Sequence, residues 1–135
     1  MSRSSRTHKR DLGILLIRIS IGLSMFIFHG LPKLMKGPEV WEKIGASMSN
    51  VGITFFSSFW GFTATMVETV GAVLIVLGLF TKPTSLLLAF TMLIATISHL
   101  AKGDTFSQAS HPIELMFIFI ALYFLGAGKY SIDKK

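Results

Sequence analysis

The stretch MVETVGAVLIVLGLF, Met66–Phe80, places one carboxylate, Glu68, inside an apolar run long enough to belong to a bilayer-crossing helix. A side chain this short cannot snorkel to water from such a depth. It must be paired, protonated or turned toward an internal cavity. The stretch therefore implies a helix packed against other helices, with a polar feature at its heart.

Composition agrees. Of 135 residues, 51% are apolar and 15% charged, and the mean hydropathy is +0.63, which belongs to a membrane protein. Thirteen Lys and Arg against seven Asp and Glu give a net charge of +6. The basic residues gather at helix ends and connections, so they orient spans and build no nucleic-acid surface. No cysteine is present, which excludes disulfides, thiol relays and thiolate metal sites. No other metal-ligand pattern stands out.

Outward from Glu68, length and punctuation mark four spans at about 12–31, 59–80, 84–101 and 112–128, each near the 17–25 residues a bilayer needs. Pro32, Lys82-Pro83 and the polar Gly103–Ser110 segment separate them. The expected fold is an all-α transmembrane four-helix bundle forming a single domain over 12–130. A basic segment, 1–11, precedes it and a short tail, 131–135, follows. The first apolar run is too long for a cleaved signal peptide and carries Arg18, so it is expected to remain as an anchor. In the first loop Val40, Trp41, Ile44 and Met48 recur at helical spacing beside Glu39, Glu42 and Lys43, which predicts a short interfacial helix. Arg3, Arg6, Lys9, Arg10, Lys82, Lys129, Lys134 and Lys135 fall on one side of this topology. That side, with both termini, is expected to be cytoplasmic.

Helix rise gives heights for the ionisable groups: from the cytoplasmic ends, Arg18 lies ~9 Å in, Glu68 ~17 Å, Glu114 ~20 Å, His99 ~22 Å and His29 ~25 Å. Arg18, Gly22, Met25 and His29 form one stripe. Glu68 shares a stripe with Gly71 and Gly78, and Glu114 with Ala121 and Gly128. Small residues at such spacings let helices approach closely, so all three stripes are expected to face the bundle. Arg18 is the leading partner expected for Glu68, although snorkelling would also account for an arginine at that height. Glu114 would equally serve at the start of the fourth helix, and a histidine near the outer surface needs no function.

Four segments in order resemble the DoxX family of small four-span membrane proteins: LLIRISIGLSMFIFHGLPKL, ETVGAVLIVLGLFTKP, the His99-bearing end of the third span with TISHLAKGD, and HPIELMFIFIALYFLGAGKYSID. The family's recurring polar positions fall on Arg18, His29, Lys33, Glu68, His99 and Glu114. The resemblance implies a redox-associated component, the family being named for a subunit of an archaeal thiosulfate:quinone oxidoreductase. It does not fix a reaction.

The expected site is an outward-opening polar pocket with Glu68 at its floor, His29 and His99 on its walls, Glu114 beside His99, Lys33 at the mouth and Arg18 below. His29, Glu68 and His99 would carry the chemistry; Arg18, Lys33 and Glu114 would bind. A quinone headgroup is the leading cofactor, a small oxyanion such as thiosulfate would want Arg18, His29 and Lys33 unneutralised, and a haem between His29 and His99 is the remaining alternative. The competing functions are a non-catalytic assembly partner for a soluble or membrane redox subunit and a small proton-coupled transporter. The bilayer is the first partner, and homo-oligomers are allowed.

Overall fold

The computed structural model describes residues 3–133, so Lys134 and Lys135 of the basic set lie outside the described residues. It is all α-helical: α1 (Arg3–Met25), a π-helical turn (Phe26–Gly30), α2 (Leu31–Lys36), α3 (Pro38–Ala46), a 3-10 turn (Ser47–Val51), α4 (Ser57–Leu77), α5 (Thr81–Ala101) and α6 (Ser110–Leu125). Among the described residues three helical stretches are long and apolar enough to cross a membrane: the run Arg3–Lys36, Ser57–Leu77 and Thr81–Ala101. The fourth apolar helix, α6, has only 16 residues.

Pro32 does not end the first helix. A proline there has no N–H to donate and its ring crowds the carbonyl one turn back. The chain answers with a widened turn, in which the Leu31 N–H reaches the Phe26 carbonyl, and helix continues to Lys36. Pro83 likewise sits inside the first turn of α5, where the missing N–H is harmless. The α4–α5 turn is closed by Gly78, at φ +70°. The Leu79 N–H bonds Leu74 O at 3.0 Å and the Gly78 N–H bonds Ile75 O at 3.2 Å, the glycine-capped helix ending that only a residue without Cβ adopts cheaply.

The core is a cluster of Ile14, Met25, Ala72, Ile75, Leu88, Met92, Phe119 and Leu122. Chain order sets the packing: α4 touches α1, the π turn, α3 and α5, while α5 touches α6. The start of α1 and the segment after α6 meet at one end, where the Tyr130 hydroxyl meets His8 Nδ1 at 2.9 Å. Glycines set the closest approaches. A Cβ on Gly45 would strike the Ser57 carbonyl and one on Gly61 the Trp41 carbonyl, so α3 lies flush on the start of α4. A short helix thus exists in the first loop, with Gly45 as its contact; α3 carries Val40, Trp41 and Ile44, and Met48 falls in the 3-10 turn that follows.

Of the stripe Glu114, Ala121 and Gly128, only Gly128, which lies beyond the end of α6, is buried. Glu114 and Ala121 are exposed, while Pro112, Phe119 and Leu122 are buried. Bulky apolar side chains on the other face of α6 fill the core better than small ones, so they turn it.

Candidate functional site

Arg18 is fully buried, at 1% exposure, and it neither snorkels nor meets Glu68. Its guanidinium donates to Ile75 O at 3.0 Å, Val76 O at 2.8 Å, Ala127 O at 2.9 Å and Tyr130 O at 2.9 Å. Ile75 and Val76 lie in the last turn of α4, where carbonyls lack the next turn's N–H groups; Ile75 O accepts from both Arg18 and the Gly78 N–H. The tail supplies what Arg18 does not: Ile132 N–H bonds Leu77 O at 3.2 Å and Asp133 N–H bonds Gly78 O at 2.8 Å. The Asp133 carboxylate then accepts the Phe80 and Thr81 N–H groups at 3.0 and 2.9 Å, capping α5. Arg18 and the tail are therefore a plug at the end of the bundle that carries the termini.

Glu68, 4% exposed, is paired with Lys33, whose Nζ lies 2.7 Å from its carboxylate. Direction as well as height decides this. Side chains lean toward the N-terminus of their own helix, so Arg18 leans toward the terminal end and Lys33 back into the bundle. Glu68, on an antiparallel helix, leans away from Arg18 and toward Lys33. Gly30 fixes the level: a Cβ there would lie 2.8 Å from the Glu68 carbonyl oxygen, and Gly30 stands twelve residues, about 18 Å of rise, beyond Arg18.

Beside this pair lies a cavity of about 370 Å³ between α4 and α5. The helices touch at Gly71, whose Cβ position is 3.3 Å from Thr84 and 3.6 Å from Leu88. From Glu68 outward the cavity takes the place of that contact. Its walls are Ala64 and Val67 on α4 and Phe90, Ile94 and Ala95 on α5, and Ile44 and Met48 roof it. The roof is fastened by Trp41 Nε1 donating to Lys33 O at 2.9 Å and by the Ser47 and Ser98 hydroxyls at 3.3 Å.

Lys33, Glu68 and His99 line this cavity. His99 Nδ1 lies 2.8 Å from the Asp104 carboxylate, which orients the ring and leaves Nε2 as its other polar atom. His29 is elsewhere: its Nε2 lies 3.1 Å from His111 Nε2, with the rings stacked 4.9 Å apart, which joins the π turn to the start of α6. The single pocket expected to hold His29, His99 and Glu114 does not form, because Met25 and Gly30, not His29, carry the inner face of that turn and α6 turns Glu114 outward. Arg18, too, is outside the cavity. Sequence reasoning missed Asp104, His111 and Trp60. The first sits in a loop and the second stands directly before Pro112, just outside the expected fourth span, while Trp60 is one aromatic among many in an apolar run.

An all-α bundle of apolar helices, plugged at one end and opened between two helices at the other around a lysine–glutamate pair, is the build of a multi-pass membrane protein. The chain belongs to the DoxX family, whose profile matches residues 13–101. It is 26% identical over 123 residues to "Putative oxidoreductase CatD" of Bacillus subtilis, covering 91% of this chain and 86% of that one. It is 32% identical over 117 residues to an uncharacterized protein of Haemophilus influenzae, covering 82% and 81%. No solved structure matches the chain significantly.

Proposed function

We propose that this protein is an integral membrane, redox-associated component that binds a quinone headgroup in the cavity lined by Lys33, Glu68 and His99. The observation that carries the reading is the character of that cavity, with a half-buried ion pair and an oriented histidine set among apolar walls. Such walls suit a ring system, and the polar groups suit its oxygens. Bound there, a quinone supplies two-electron chemistry coupled to protons. His99 holds or accepts a proton at Nε2 while Asp104 keeps the ring in place. Lys33, anchored by Glu68, presents ammonium N–H to an oxygen without leaving the carboxylate unpaired.

The oxyanion reading loses its cations, since Arg18 is committed to four carbonyls and Lys33 to Glu68. The residues do not fit a haem, because His29 and His99 do not face one space. In this reading α6, although short, is the fourth span, α3 lies at the outer interface as a roof, and both termini are cytoplasmic. Arg3, Arg6, Lys9, Arg10, Lys82 and Lys129 at the terminal end support that orientation. A second reading, membrane assembly with a redox partner, is favoured by Glu114 and Ala121, exposed on one face of α6.

The test is quinone content. Protein purified in nanodiscs should retain quinone on extraction and bind a short-chain quinone stoichiometrically. Glu68→Gln and His99→Ala should lose it while remaining folded. Wild-type protein that neither retains nor binds quinone overturns the reading.

A further inference from the structure

Trp60 is the group the proposed site does not yet use. It lies on the cavity wall, in the first turn of α4, and its indole nitrogen is buried with no hydrogen-bond partner. An indole nitrogen only donates, so only an acceptor satisfies it, and a buried donor without one is costly. The orphan is not a habit of tryptophan in this chain: Trp41 Nε1 has the Lys33 carbonyl.

Position gives the orphan a meaning. Trp60, Ala64 and Glu68 follow at four-residue spacing on one side of α4, and Trp60 stands about 12 Å of rise further out than Glu68. The helices run antiparallel from their contact at Gly71 with Thr84 and Leu88, so counting outward along both brings His99 on α5 level with Trp60 on α4. Trp60 and His99 thus stand on opposite walls at the outer rim, and the Lys33–Glu68 pair forms the floor. Apolar residues Val67 and Ile94 lie between. A ligand with one acceptor at the floor satisfies Lys33 and leaves Trp60 orphaned. A ligand with a second acceptor, separated from the first by an apolar ring, satisfies both.

Resting on the quinone reading above, we propose that Trp60 is a specificity-determining residue that donates its indole N–H to the rim-side oxygen of a ligand carrying acceptors at both ends, as a quinone does. Trp60→Phe keeps the aromatic surface and removes only the donor. The experiment titrates wild-type and Trp60→Phe protein in nanodiscs with a short-chain 1,4-naphthoquinone labelled with carbon-13 at its carbonyls, following affinity and the carbonyl stretching bands by difference infrared spectroscopy. Wild type should show both bands lowered by hydrogen bonding. Trp60→Phe should bind about tenfold more weakly, the effect of losing one hydrogen bond, with one band returned toward its free position and the other unmoved. Trp60→Phe that binds as wild type does with both bands in place overturns the role of Trp60 and leaves the quinone reading standing. Loss of affinity with neither band returned assigns Trp60 to packing and also overturns it. Wild type that takes up no quinone overturns both.

Discussion

Arg18→Met tests the plug. Methionine fills much of the arginine's volume without its donors, so four carbonyl contacts are lost, at Ile75, Val76, Ala127 and Tyr130. Ile75 O keeps a bond from the Gly78 N–H, which leaves the three carbonyls of Val76, Ala127 and Tyr130 without their guanidinium donor. An unsatisfied buried group costs about 1–3 kcal/mol. Relief of the buried charge offsets part of that, and the expected net loss is about 3–5 kcal/mol. Arg18→Lys should recover less than half, because one ammonium cannot reproduce a planar fork that serves two segments at once. Equilibrium unfolding in mixed micelles measures the loss. Limited proteolysis measures where it falls, with cleavage expected first between Gly126 and Asp133, since the tail is held through the same guanidinium. A variant within about 1 kcal/mol of wild type, with an uncut tail, would refute the reasoning.

Lys33→Met and Glu68→Gln should each destabilise by about 3 kcal/mol, the low end for a buried pair because Lys33 is partly exposed, and the double variant should cost clearly less than their sum. Arg18→Gln with Glu68→Gln should be additive within about 0.5 kcal/mol, because the two are remote; a large coupling in the same unfolding assay would move Arg18 back beside Glu68. Gly30→Ala should cost about 1–3 kcal/mol or more through a Cβ 2.6 Å from Thr69 Oγ1, and thermal unfolding at wild-type temperature would contradict that contact. Asp104→Asn should leave stability within about 0.5 kcal/mol and weaken quinone binding severalfold by releasing the His99 ring; unchanged affinity would remove Asp104 from the site.

The class of fold was legible because it follows from sums and periods: apolar length, punctuation by glycine and proline, and the need to hide Arg18 and Glu68. The burial of Glu68 was legible for the same reason. Its partner was not. Heights along a helix ignore the lean of each side chain, and that lean reverses between antiparallel neighbours. Pro32 was read as a stop because sequence patterns treat proline as a breaker, yet one widened turn absorbs it. The outward turn of Glu114 depended on competition between two faces of α6, one small and one bulky, which spacing alone does not decide. Asp133 had no sequence signal, since it caps a helix fifty-two residues earlier in the chain.

The two polar features divide the bundle's labour along its axis. At the terminal end Arg18 draws together α4 and the tail, the tail caps α5, and Gly78 closes the turn, so the α4–α5 connection is tied to two further segments. At the other end the roof bridges α4 and α5, with Gly45 seated on Ser57 and Ser47 on Ser98, and Trp41 ties that roof to the Lys33 carbonyl. Two helices fixed at one end and bridged at the other by short contacts can part between them, and that is where the cavity lies. Lys33 links the roof of that cavity to its floor: its carbonyl holds the roof and its ammonium holds Glu68.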